Sequence, residues 1–167
     1  MFQSLNGFLK SWEFESTATQ KILNTLTDES LEQEITSENW NLGQVAWHLV
    51  TVVQVLISRT GLKFDSPAQD MPVPTSAKAI ADHYSKTSEA LIEAIKTQWA
   101  DENLQERNDF FGQQQPNGLF LMTLIHHQIH HRGQMTVLMR QASLTVPGIY
   151  GPSKEEWAAM DMEASKM

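Results

Sequence analysis

Apolar residues recur along most of this chain at spacings of three and four, and Pro and Gly divide it into long blocks. That period belongs to α-helices with one buried face. Residues 1 to about 27 lack Pro and carry Leu5, Phe8, Leu9, Trp12, Ala18, Ile22, Leu23 and Leu26, which predicts a first amphipathic helix broken at Thr27-Asp28-Glu29-Ser30. The stretch LEQEITSENW reads as a connector. A second helix is predicted from about Leu42 to Arg59, with Gly61 as its stop signal. It is apolar almost all round, so it belongs at the centre of a bundle. Pro67, Pro72 and Pro74 make residues 63–74 a loop, and Thr75 or Ser76 caps a third helix reaching about Trp99.

Residues 100–117 are polar, with Phe110, Phe111, Gly112 and Pro116 marking an irregular crossing segment. Asn117 is the expected cap of a fourth helix over Gly118 to Ala142. A loop with Pro147, Gly148, Gly151 and Pro152 follows, and then a short final helix starts at Ser153 with Glu156 at the capping-box position. No segment shows the period-two alternation of a strand. Four long helices and a short fifth predict an all-α four-helix bundle in one domain over residues 1–167.

Charge narrows the partners. The chain carries 12 Lys and Arg against 20 Asp and Glu, a net charge of -8, and its cations are scattered. Nucleic-acid binding needs a concentrated basic face, so it is not expected, and an acidic membrane surface would repel the chain. No run approaches the roughly 18 apolar residues of a membrane span. The opening MFQSLNGFLKSWEFES lacks the features of a signal peptide, which predicts a cytoplasmic location. There is no Cys, so any thiol in the chemistry arrives with a substrate or cosubstrate.

Six histidines remain to be placed, four of them in HHQIHH. At about 100° per residue, His127 and His131 share one helix stripe with Phe120, Leu124, Met135 and Leu138, and so face the core. His126 and His130 lie about 100° away, on a flank with Leu119 and Val137. Two neutral imidazoles in an apolar interior need partners, and a metal ion satisfies a nitrogen on each. His48, inside the apolar second helix, is the third ligand candidate, whereas His83 lies in the mixed and solvated sequence ADHYSK. Three imidazoles and no thiolate suit Zn, Ni, Fe, Mn or Co, with coordination positions left for water or substrate. The competing reading is a hydrogen-bonded core pair and an unrelated buried ring. Three rings, two of them at ligand spacing, favour the metal.

The segment H-Q-I-H-H lacks the Glu of H-E-x-x-H, and Gln128 cannot act as a general base, so peptide hydrolysis by that route is not expected. Gln44, Gln128 and Gln134 are placed to bond an imidazole or a metal-bound water, or else are surface amides. Trp40 and Trp47 read as core fillers rather than pocket walls, and Arg132 as a surface or helix-packing ion-pair partner.

The order WNLGQVAWHLV, HHQIHHRGQM and VPGIYGPSKEEW resembles the DinB family over nearly the whole chain. The most specific pieces are H-x-x-x-H-R-G-Q, V-P-x-I-Y-G-P and the upstream Trp40 to His48 spacing. The resemblance implies a four-helix bundle of up-down-down-up course and a metal triad at His48, His127 and His131. Many relatives place an acidic residue where Gln128 stands, so a carboxylate role at that position is not expected here. Relatives that are thiol-dependent transferases imply a metal that lowers the pKa of a small thiol. The expected function is therefore a metal-dependent S-transferase acting on a small electrophile with a small thiol cosubstrate. The alternatives are a non-catalytic metal-binding stress or interaction protein and a metal-dependent hydrolase. Relatives are often dimers, and Leu119, His126, His130 and Val137 are the expected homodimer contact.

Overall fold

The computed structural model describes residues 1–157 and 160, and the protein is mostly helical. Helix α1 spans Leu5–Leu23, and the Ser4 hydroxyl caps it by accepting the Gly7 N–H at 3.1 Å. Helix α2 spans Leu42–Ile57. Asn41 and Gln44 close a capping box there: each side-chain oxygen accepts the other residue's backbone N–H, at 2.8 and 2.9 Å. The chain leaves α2 through a 3-10 turn and stops at Gly61, whose φ of 81° is left-handed and favours glycine. Helix α3, Ala77–Gln98, is capped by Ser76 as expected.

Residues 107–116 differ from expectation. They form an antiparallel hairpin of β1 (Arg107–Phe110) and β2 (Gln113–Pro116), joined through Phe111 and Gly112. Both turn residues have positive φ, 52° and 83°, the handedness that suits a two-residue hairpin. Each strand has four residues, too few for alternation to register in the sequence. The Phe110 ring anchors the hairpin edge-on against Phe120, with centroids 4.9 Å apart.

Helix α4 spans Asn117–Gln141. Asn117 is not its cap; Pro116 occupies that position. The buried Asn117 amide instead donates to the Asn103 carbonyl at 3.0 Å and accepts from Asn108 at 2.9 Å, tying the hairpin to the segment before it. The short α5, Lys154–Trp157, begins where the Glu156 carboxylate accepts the Ser153 N–H. None of the helices among the described residues is long and apolar enough to cross a membrane.

Helices α1 and α2 each pack against both α3 and α4. The apolar core falls into two clusters. One joins Ile22, Leu42, Leu49, Ile80 and Met135. The other joins Phe8, Trp12, Ile57, Leu91 and Phe120. Between them lies a polar layer built from side chains of α1, α3 and α4 and a backbone carbonyl of α2. Arg132 donates to the Glu15 carboxylate at 2.6 Å, to the Glu15 carbonyl at 3.0 Å and to the Thr19 hydroxyl at 3.2 Å. Gln128 accepts from Thr19 and Tyr84 and donates to the Leu49 carbonyl at 2.9 Å. Tyr150 reaches back from the C-terminal loop and donates to Glu15 at 2.8 Å.

Arg132 is 3% exposed, so the helix-packing role foreseen for it holds and the surface role does not. Removing one member of a buried ion pair leaves the other charge uncompensated. Arg132→Met is expected to destabilise the fold by about 3–5 kcal/mol, whereas a Glu15→Leu/Arg132→Met double variant should recover most of that loss. Urea unfolding of the two variants beside the parent measures both.

Candidate metal centre

The candidate site lies where α2 and α4 pack together. His48 lies on the second turn of α2, and His127 and His131 lie one turn apart on α4. The Nε2 atoms of His48 and His127 are 2.8 Å apart, and those of His127 and His131 are 3.0 Å apart. The three histidines can present one ligand atom each within 4.8 Å of one another, an arrangement able to hold a metal ion. The rings are half-buried. The fully buried stripe of α4 instead carries Leu121, Leu124, Gln128, Arg132, Met135 and Met139. The expectation that His127 and His131 face the core is thus corrected: they sit at its edge.

Chemistry at the ring nitrogens tests whether a cation fits. A neutral imidazole carries one proton on two nitrogens. The His131 Nδ1 lies 2.7 Å from the Gln134 side-chain oxygen, which only accepts, so Nδ1 carries the proton and Nε2 offers a bare lone pair. One proton on His127 Nε2 cannot satisfy contacts with both of its neighbours. A divalent cation takes up all three lone pairs at once, so the residues present fit a metal.

Electrostatics points the same way. Burial, with the neighbouring His131 and His127 rings, pushes the His48 imidazole down to about 4. Burial, with His131 and His130 beside it, pushes His127 down to about 4 as well. Burial also lowers His131, against an opposing effect of its Gln134 hydrogen bond. Near neutral pH these rings are therefore uncharged, the form that ligates.

Trp40 stands over the site. Its ring centroid is 5.0 Å from that of His48 and 6.3 Å from that of His131. It also lines a cavity of about 470 Å³ beside His131, together with Ile35, Glu38, Val45, Gln134 and Val137. Trp40 is therefore a pocket wall and not the core filler expected from sequence. Its position just before α2, eight residues from His48, is the signal that could have shown this. Trp47 is buried as expected. Of the three glutamines considered as imidazole partners, only Gln134 touches a site histidine. Gln44 belongs to the α2 capping box, and Gln128 is turned into the interior.

The remaining histidines lie outside the cluster. His126 and His130 are exposed on α4. His83 is half-buried rather than fully solvated, edge-on against Trp47 at 5.3 Å. A second cavity, about 440 Å³, lies between Phe14, Lys21 and Ile149, on residues separate from the histidines.

Comparison with known proteins shows the family and the fold. A profile of the DinB family matches residues 1–166. The chain is 66% identical to the uncharacterized protein YrdA of Bacillus subtilis, over 100% of both chains. The crystal structure of a DinB-like protein from Bacillus cereus superposes with a TM-score of 0.87 and 60% identity, covering 90% of this chain and 100% of that one. The DinB-like protein YjoA of Bacillus subtilis shares the fold, with a TM-score of 0.69 at 15% identity over 88% of this chain and 99% of that one.

The depressed imidazoles set a pH dependence for the metal-free protein. Unfolded histidine binds its proton near 6.5, whereas folded His48 and His127 bind theirs at about 4. Between those values the unfolded state holds more protons, so stability falls as pH drops from about 6.5 to about 4. Above about 6.5 these rings contribute no further change. Ring resonances followed by NMR in EDTA-treated protein should titrate near 4 for His48 and His127; midpoints at 6.5 would contradict the site as described.

Proposed function

The chain belongs to the DinB family, and on that premise we propose that it is a metal-dependent enzyme whose divalent transition metal is held by His48, His127 and His131. One observation carries the reading. Three uncharged donors converge beside an open cavity, with no fourth His, Cys, Asp or Glu joining their cluster among the described residues. A structural metal site closes its coordination with protein donors, whereas a catalytic one keeps a position for water or substrate. All-imidazole donation suits Zn, Ni, Fe, Mn or Co.

A bound ion of this kind would lower the pKa of a thiol or a water enough to make it a nucleophile near neutral pH. We take the thiol as the leading reading and the water as its alternative. Metal-assisted hydrolysis is helped by a general base near the nucleophile; Gln128 faces the interior, which leaves Glu38, the one carboxylate lining the cavity, for that role. The chain has no Cys, so a small cosubstrate thiol would bring the sulfur to a small electrophile. Gln134 fixes the tautomer and ring orientation of His131. Trp40 shields the histidines from water on one side.

An up-down-down-up course of the helices belongs to the same proposal. It is supported by the sharing of the two clusters. The start of α2 and of α3 joins the end of α1 and of α4 in one cluster. The opposite ends meet in the other.

Replacing His48, His127 or His131 by Ala is expected to lower metal occupancy by about tenfold or more, because two donors hold a small ion far less tightly than three. His83, His126 and His130 variants should keep theirs. Gln134→Ala should weaken binding by about 10–100-fold. Elemental mass spectrometry of purified protein measures each, with circular dichroism as the folding control. Thiol conjugation to monochlorobimane, tested with a panel of small thiols before and after EDTA treatment, addresses catalysis. Metal retained in the His127 and His131 variants would overturn the site assignment, and absence of metal-dependent conjugation would overturn the transferase reading.

A further inference from the structure

The cavity beside His131 combines features that the metal alone does not require. Three large apolar side chains on its wall stand open to water: Ile35 is 62% exposed, Trp40 51% and Val137 53%. Val45 and Leu138 complete an apolar lining. Apolar surface gathered at one concavity marks a place where something binds. The volume of about 470 Å³ is that of a small-molecule site.

Charge says what kind of molecule. Among the lining residues there is no Lys or Arg, and Glu38 is the one carboxylate. The surrounding chain carries a net charge of -8. In the metal-free protein an anionic ligand would therefore meet a negative carboxylate in a negative field, with no Lys or Arg on the wall to offset it. A cation meets that carboxylate and also an exposed indole, whose face attracts positive charge.

We propose that this cavity binds a small organic cation, with its apolar or aromatic body against Trp40, Ile35 and Val137 and its ammonium end toward Glu38. The inference deepens the reading above by naming the substrate class at that site. It rests on that reading for the reaction, but not for the binding. His131 lines the same cavity, so the ligand would lie beside the ion.

Two probes of similar shape and opposite charge test the proposal: phenethylammonium and 3-phenylpropionate. Each is titrated into 15N-labelled protein, both as purified and after EDTA treatment, with the Trp40 indole N–H as the reporter. In the EDTA-treated protein the cation should bind about fivefold or more tightly than the anion. Glu38→Gln should reduce that preference to less than about twofold. Trp40→Ala, read through the Gln134 side-chain amide, should abolish binding of the cation; the replaced side chain is half exposed, so the fold is not at stake.

Equal or tighter binding of the anion to EDTA-treated protein would overturn the proposal. So would unchanged cation binding in Trp40→Ala, or a Trp40 signal that reports only self-association of the protein with rising concentration. The His48→Ala variant separates this proposal from the metal reading, because His48 is not on the cavity wall. If that variant keeps its metal but binds the cation, the metal assignment fails and the cavity assignment stands. If it loses metal and neither it nor the parent binds the cation, only the cavity assignment fails.

Discussion

The buried pair of Arg132 and Glu15 fixes the rotation of α4 about its own axis. At 3% and 10% side-chain exposure these two charges have little water to turn to. The guanidinium also reaches the Glu15 carbonyl and the Thr19 hydroxyl, and Tyr150 caps the carboxylate from the C-terminal loop. One turn earlier on the same stripe, Gln128 locks to Thr19, Tyr84 and the Leu49 carbonyl. Together these bonds give α4 a single register against α1, α2 and α3. The residues that precede Gln128 and Arg132 are His127 and His131. One residue is about 100° of helix, so the rotation that buries the polar ladder turns the histidine ladder to the edge, toward α2 and the surface.

That edge position explains how the site can be both uncharged and open. Deeper burial would leave the imidazoles inaccessible to any ligand. Full exposure would let them protonate near their ordinary 6.5. Half-buried and crowded against one another, they stay neutral well below that value while a cavity lies open beside His131. A stretch of the connector does the rest. Trp40 is followed at once by the Asn41–Gln44 capping box, so the start of α2 sets where the indole falls over the histidines.

Much of the fold was legible because long helices leave a repeated signal. The α2 stop at Gly61 and the Ser76 cap of α3 could be read from single residues, and α4 was placed within one residue at each end. The hairpin was not legible, since four-residue polar strands joined by Phe111-Gly112 lack both alternation and the usual Asn-Gly turn. The histidine cluster was legible through i, i+4 spacing and an isolated polar ring in an apolar helix. What sequence could not supply was the interleaved second ladder. Gln128 and Arg132 sit at the same spacing as the histidines, and polarity alone does not say which of two adjacent polar ladders is buried. Geometry decided in favour of the longer, better-satisfied pair. Trp40 misled for a similar reason: a large apolar residue beside an apolar helix reads as core until its exposure is seen.

The separation of the two ladders also divides their duties. The Arg132–Glu15–Gln128 ladder links all four long helices and needs no ligand, since its donors and acceptors are paired within the chain. The apolar clusters on either side of it close without the histidines. The histidine ladder joins only α2 and α4, and its nitrogens crowd one another without satisfying one another. The crowded imidazole nitrogens thus gather at one opening, apart from the ladder that links the helices. The apolar clusters and the Arg132–Glu15–Gln128 ladder hold the helices together through contacts of their own, so an ion leaving the histidines would not take the fold with it. The sequence expresses this division in six residues, HQIHHR, where each polar side chain that stabilises the fold directly follows one that is left for a ligand.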